Sequence, residues 1–449
     1  MAEMPSAVRA HEMSREEIAS IEVGHTAIRS STAWVLAGTF VALIGAALTA
    51  QLALRPIDAR DSNRAAWSFL AAVPREIATR LAETRQLGAW ARMLAANRVV
   101  LSSLSAFETA LDDVSALGGT LRPPAQLLMS RRLGAGNERV YAGRGGWLFY
   151  RPDVELLTAP GFLRPDRLAR RAASSDEWAA QVQPDPRDAI LQFKRDLDAR
   201  GIALVVMPTP VKPTVHPERL ASRFEDRLEP LQNPSFEAFV ADLEREGVLV
   251  LDVSTALARA KAGGAQYLST DTHWRPEAME LAAETLRDFV AARVPLPEVP
   301  DPDLKIQRVE IRAAGDTSRM LDLPDGQTLF PPEIVWLRRV LQADGTAWRP
   351  SRSADVLVLG DSFSNIYSLG SMGWGDSAGL VEQLAWILRR PIDRMVQNDE
   401  GGYATRAVLQ REMQSHGDRL TGKRLVIYQF AARELASGDW RVLELPQAQ

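Results

Sequence analysis

The 449-residue chain has a net charge of −4, with 46% hydrophobic and 24% charged residues and no cysteine. That length suits two ordinary domains or one large α/β domain with additions. The absence of a basic surplus gives no support to nucleic-acid binding, and the absence of cysteine excludes disulfides, thiolate metal sites and cysteine nucleophiles together.

From Ser30 to Leu54 no residue is charged. The run exceeds the roughly 20 apolar residues that cross a bilayer and is apolar on every face. A cleaved signal peptide is the alternative, with "LTA" before Gln51 as its cleavage site. The run is longer than the usual apolar core of such a peptide, about 7–15 residues, and a polar segment precedes it. The reading is therefore an uncleaved transmembrane anchor over 30–54, with 1–29 as a cytoplasmic segment. Arg15 and Arg29 on the near side, against Arg55, Arg60 and Arg64 on the far side, give no support to an outside carboxyl terminus. Large domains, however, translocate largely regardless of such charges.

Residues 55–135 are rich in Ala, Leu, Arg and Glu and read as a helical stalk or cap. Pro74 is expected to break or restart its first helix, and "GGTLRPPAQ" to end the region. No internal repeat or sustained heptad is visible. A domain over 136–449 then begins with "VYAGRGGWLFYRPD", a Gly-rich turn entering an aromatic strand, where Trp147 and Phe149 anchor a core.

Helices and strands alternate from there. "DPRDAILQFKRDLDARG" is a helix with Ile190, Leu191, Phe193 and Leu197 on its stripe, closed by Gly201. "IALVVMP" is a buried strand. "SFEAFVADLEREG" is a helix and "VLVLDV" a strand; "PEAMELAAETLRDFVAARV" is a long helix with Pro276 in its first turn. Then come the strand "SADVLVLGDS", the helix "SAGLVEQLAWILRR" and the strand "KRLVIYQF". This alternation implies a mostly parallel sheet with helices on both faces.

In "VLVLGDSFSNIYS", Val356 to Ser368, an apolar strand stops in Gly-Asp-Ser. Ser362 sits just past a strand's carboxyl end, where open α/β sheets place their chemistry. It reads either as a nucleophile or as the N-cap of the next helix. A nucleophile needs a base, and there are five histidines. His11 and His25 precede the anchor, His416 ends a polar helix, and His216 lies in a loop between Pro213 and Pro217. His273 follows Asp271 by two residues, and an extended D-x-H segment puts both side chains on one side. The carboxylate then fixes the imidazole tautomer and leaves Nε2 for a serine hydroxyl. The alternatives are a helix cap with an incidental histidine, or a metal site. A metal needs at least one more ligand than this pair; no further His or Cys supplies it, which leaves an Asp or Glu to contribute.

Together, "GDSFSNIYS" and "STDTHW" resemble the SGNH-hydrolase superfamily. Here the acid–histidine pair precedes the serine, and that order with the D-x-H spacing resembles the alginate O-acetyltransferase family of the AlgJ/AlgX type. "GRGGWLFY", "MPTPVKPTVHP", "GDTSRML", "GWGDSAGLVEQLAWIL", "QNDEGGYATR" and "YQFAAREL" fit that resemblance in order, over roughly 136–440. The resemblance implies an SGNH-like catalytic domain with Ser362 as nucleophile, His273 as general base and acid and Asp271 as its orienting carboxylate. Asn398 and Arg433 become candidates for oxyanion or carbohydrate contacts, against a turn former and a salt bridge; Trp274 either stacks on a sugar or packs. It further implies a single-pass anchor in the bacterial inner membrane, a periplasmic catalytic domain and an exopolysaccharide acceptor. Acetyl groups would come from an integral membrane acyltransferase of MBOAT type, with no cofactor or metal. A carbohydrate acetyl esterase with the same triad, and a noncatalytic scaffold or glycan-binding subunit of a secretion complex, are the competing readings. The long helical region and the lack of a recognisable carboxyl-terminal carbohydrate-binding module depart from the family pattern.

Overall fold

The computed structural model describes residues 29–53, 73–86, 88–113, 116–173, 181–398 and 401–446. His11, His25 and nearly all of the expected cytoplasmic segment lie outside the described residues, as do Leu54, Arg55, Arg60 and Arg64. The chain divides into two units, Met1–Arg122 and Pro123–Gln449.

In the first unit the uncharged run forms one helix, Ser30–Ala53, which exposes Trp34, Phe40 and Leu43. Among the described residues no helix is long and apolar enough to cross a membrane. The described residues resume within a helix at residue 73. Pro74 lies in the first described turn of that helix, and residues 54–72 before it lie outside the described residues. The helix Ala89–Asp113 follows.

The break expected at "GGTLRPPAQ" does not form: the helix Ala116–Leu133 runs through Pro123 and Pro124. Two backbone donors are lost there. The last turn is fastened instead, because Ser130 Oγ donates to Ala135 O at 2.8 Å.

After the end of that helix the second unit continues into a hairpin of β1 (Val140–Ala142) and β2 (Leu148–Tyr150). Its turn holds Gly145 at φ 63° and Gly146 at φ 79°, a region open chiefly to glycine. Trp147 and Phe149 are buried. The central strands are β3 (Ala203–Thr209), β4 (Leu249–Val250), then, beyond a separate ribbon of β5 (Lys305–Ala313) and β6 (Glu333–Leu341), β7 (Val356–Gly360), β8 (Asp393–Val396) and β9 (Leu425–Ala431). Five of them form one parallel sheet in the order β4-β3-β9-β7-β8. Every residue of β7 and β9 is buried, which is why both read as unbroken apolar runs.

Val356, Val358 and Ile427 face one core with the helices Pro276–Ala291 and Leu380–Leu388. Leu357, Leu359, Val426 and Tyr428 face the other with Pro186–Asp198, Phe236–Arg245 and Ala404–His416. The sheet is thus covered by helices on both faces. From β3 the chain steps outward to β4, and from β7 it steps outward the other way to β8, with β9 inserted between. The carboxyl ends of β3, β9 and β7 meet at this reversal, where such sheets bind their ligands.

Candidate active site

Gly360 ends β7 against a wall. A Cβ there would lie 2.4 Å from Ser364 Oγ and 3.1 Å from Gln429 Oε1. The next residue, Asp361, caps the short helix Ser362–Asn365: its Oδ1 accepts the Phe363 N–H at 2.9 Å. Its Oδ2 accepts the Ala431 N–H at 2.6 Å, which pins the turn to β9. Gln429 completes the brace, accepting from the Asp361 N–H at 3.0 Å and donating to Asp361 Oδ1 at 2.9 Å. The N-cap is therefore Asp361. Ser362 is the first helical residue, with its hydroxyl free of capping and its N–H without an intrahelical acceptor.

His273 Nε2 stands 2.9 Å from Ser362 Oγ, across 89 residues of sequence. On its other side Nδ1 lies 2.7 Å from Asp271 Oδ1. The acid and the imidazole are aligned by a turn rather than by the extended segment expected from sequence. Asp271 Oδ1 also accepts the His273 backbone N–H at 3.1 Å, folding the side chain back over its own loop. Asp271 Oδ2 accepts Trp374 Nε1–H and the Asp316 N–H, each at 2.9 Å.

Burial opposes the ionised Asp271, but the hydrogen bond and charge of His273, with those two donors, hold its carboxyl well below the usual value. An ionised Asp271 makes Nδ1 the donor and Nε2 the acceptor of the serine proton. Burial likewise pushes the imidazole down, but the hydrogen bond and charge of Asp271, with the charge of Asp316, lift it above the ordinary histidine value.

Asp316 comes from the segment after β5. Its Oδ1 accepts the Thr272 N–H at 2.7 Å, and its Oδ2 lies 3.7 Å from His273 Nδ1. Asp271, His273 and Asp316 are ligand types that a cation takes, with atoms within 4.8 Å of one another. Hydrogen bonds already engage Asp271 Oδ1, Asp271 Oδ2, His273 Nδ1 and Asp316 Oδ1.

Trp274 does not face a ligand. It is fully buried, its Nε1–H donates to Phe363 O at 3.1 Å, and its carbonyl accepts from Tyr367 Oη at 2.7 Å. The sugar-stacking alternative is thereby removed, and Trp274 instead ties the histidine loop to the serine turn. Asn398 and Arg433 line the cavity at Ser362, with Gln397 and Gln429. Asn398 Oδ1 accepts from Asn365 Nδ2 at 2.9 Å. Arg433 makes the salt bridge weighed from sequence, Nη1 to Asp153 Oδ1 at 3.1 Å, yet still borders the cavity. Burial disfavours its charge, but Asp153, Asp361 and Glu434 outweigh that and keep it cationic.

His216 is held away from Ser362. Its Nδ1 lies 2.8 Å from Glu218 Oε1, and its Nε2 accepts the Gln266 N–H at 3.0 Å. His416 ends the helix Ala404–His416, and its side chain lies outside the described residues.

A family described as SGNH hydrolase-like domain, acetyltransferase AlgX, matches residues 140–432. The chain belongs to that family. Its fold is accordingly SGNH hydrolase-like. The match includes Asp271, His273, Ser362 and Asn398 and ends one residue before Arg433.

Among curated relatives, the probable alginate O-acetylase AlgJ of Pseudomonas syringae pv. tomato is 27% identical over 256 residues, covering 55% of this chain and 61% of that one. The probable alginate O-acetylase AlgJ of Pseudomonas aeruginosa is 29% identical over 308 residues, covering 67% and 71%. The chain thus spans under two thirds of the length of the first of these relatives. The solved O-acetyltransferase domain of Pseudomonas putida AlgJ superposes with a TM-score of 0.49 at 21% identity, covering 66% of this chain and 92% of that one.

Three residues escape sequence reasoning. Asp316 lies in "GDTSRML", a stretch that carries the family resemblance but whose place beside His273 depends on the ribbon. Glu333, at the start of β6, accepts the Ser269 N–H at 3.1 Å and the Thr270 N–H at 2.9 Å. Lys212 is fully buried and donates to Leu148 O at 2.6 Å and Ser269 O at 3.2 Å. Burial lowers its ammonium to about 8, against the pull of Asp316 and Asp271. All three hold the loop that carries the histidine.

Proposed function

We propose that the chain is a membrane-anchored O-acetyltransferase that modifies an exopolysaccharide, alginate-like in class, through an acetyl-serine at Ser362. The observation that carries the reading is the continuous chain of hydrogen bonds from Ser362 Oγ through His273 to Asp271, in a member of an acetyltransferase family.

His273 Nε2 takes the hydroxyl proton as Ser362 Oγ attacks the carbonyl carbon of an acetyl ester. In this reading the Ser362 N–H, which has no intrahelical acceptor, donates to the developing oxyanion, and Asn398 Nδ2, now 3.7 Å from Met372 Sδ, is the second donor. Each such donor contributes about 3 kcal/mol in serine enzymes. The tetrahedral species collapses, His273 returns the proton to the leaving oxygen, and Ser362 carries the acetyl group. A sugar hydroxyl then attacks, loses its proton to His273 and leaves acetylated, restoring the serine.

Residues 30–54 serve as the inner-membrane anchor in this reading, which puts the catalytic unit in the periplasm. An integral membrane acyltransferase of MBOAT type supplies the acetyl groups. Two curated relatives named as probable alginate O-acetylases support the acceptor class. An acetyl esterase would use the same three residues, with water as the second nucleophile. A noncatalytic scaffold has no use for a complete Ser–His–Asp chain.

The test is incubation of the full chain with a chromogenic acetyl ester and deacetylated alginate. Acetyl on the polymer, absent with Ser362→Ala, is the expected result. Acetate release at a rate indifferent to polymer would replace transfer by hydrolysis.

A further inference from the structure

The helix Ala89–Asp113 is amphipathic the wrong way round for a helix that packs within its own unit. Trp90 is 70% exposed and Leu101 55%, and Met93, Leu94, Val100 and Leu104 are exposed with them. Ala95, on the opposite side, is only 5% exposed. That side also carries Ser103, whose Oγ donates to Glu76 Oε2 at 3.3 Å. Small and polar residues thus face the neighbouring helix, and the large apolar ones face outward. A contiguous exposed apolar face of this kind marks an interaction surface.

The spacing says what covers it. Positions 90, 97 and 104 recur every seven residues, and 93 and 100 lie between them in the a/d pattern of a coiled coil. Leu94 and Leu101 widen the seam at the adjoining position. In the sequence the register continues to Phe107 and Leu111. The heptad is hidden in an Ala-rich stretch until the helix face is known, which is why the sequence alone shows no sustained repeat.

One a position is polar. Asn97, exposed in the middle of the stripe, is the residue that specifies register in two-stranded parallel coils, because it meets its own counterpart across the axis. The helix carries two basic residues, Arg92 and Arg98, against Glu108, Asp112 and Asp113. Both basic residues are half-buried, so the exposed stripe carries no cationic face of the kind that binds anionic lipid.

We infer that this stripe is a homodimer seam: two copies of the chain pair their 89–113 helices in parallel and in register, with Asn97 against Asn97. The inference is independent of the catalytic reading.

The chain has no cysteine, so single cysteines report directly on the full protein in detergent or in membranes. Under mild oxidation Asn97→Cys is expected to form a disulfide-linked dimer in most of the protein. Ser102→Cys, exposed on the far side of the helix, is expected to stay monomeric. Adding Leu101→Glu to Asn97→Cys is expected to reduce the crosslink at least tenfold, and all three sites are exposed enough to spare the fold. Equal crosslinking at 97 and 102, no crosslink at 97, or a crosslink indifferent to Leu101→Glu would each overturn the seam. A stripe covered by a different protein would give the second of these.

Discussion

The Asp316 carboxylate stands 3.7 Å from His273 Nδ1, while the Asp316 N–H donates to the outer oxygen of Asp271 at 2.9 Å. The imidazole therefore faces two acids, one bonded to it and one acting through space and through its loop. Burial disfavours the imidazolium, yet Asp271 and Asp316 together lift His273 above its ordinary value.

A pH dependence follows with a definite sign. A general base must be neutral, so activity falls on the acid side as pH drops through the raised value of His273. Asp316→Asn removes one lifting charge and keeps a side-chain oxygen for the Thr272 N–H. Its acid limb should move to lower pH with kcat on the plateau reduced less than about tenfold. Asp316→Ala also loses the hold on the loop and should cost roughly 100-fold. An unshifted acid limb in Asp316→Asn, measured by ester turnover against pH, would remove Asp316 from the electrostatics of the site.

Trp274 should behave as a brace rather than a sugar platform. Trp274→Phe leaves the Phe363 carbonyl without its donor and shrinks a fully buried side chain, which costs about 1–3 kcal/mol of stability. Urea denaturation should show that loss, while KM for the polymer stays within about twofold. A raised KM with unchanged stability would return Trp274 to the ligand.

Arg433 and Asp153 form a buried pair in which Asp153 Oδ2 has no hydrogen-bond partner. Burial raises the Asp153 carboxyl against the pull of Arg433. Arg433→Met should then cost about 3–5 kcal/mol, because it leaves an uncompensated acid inside. Asp153→Asn in the Arg433→Met background should recover much of that loss. Additive losses in this cycle, read from unfolding midpoints, would mean that the two side chains are not coupled.

How much of this was legible follows from where each signal resides. Unbroken apolar runs announce β3, β7 and β9, since strands buried on both faces need nothing else. β8 escapes because it opens on Asp393, a buried acid. Arg419 and Lys423 neutralise it at 2.6 and 2.9 Å, from residues that are neighbours only in space. The ribbon escapes too, although "KIQRVEIRA" alternates in the manner of a half-buried strand.

At the site, Gly-Asp-Ser and D-x-H are local patterns and can be found in the chain itself. What holds them is not local. Asp316, Glu333 and Lys212 reach the histidine loop from three separate segments, and no spacing in the sequence predicts that meeting. Trp274 shows the converse: an aromatic beside a motif says nothing about which way its ring turns.

The most direct test of the central claim is mass spectrometry of the Ser362 peptide after rapid acid quench of the full chain with an acetyl ester. The account predicts an acetyl group on Ser362, lost when deacetylated polymer is added before the quench and absent in His273→Ala. A peptide that stays unmodified while polymer acetylation proceeds, or an acetyl group that accumulates on another residue, would contradict it.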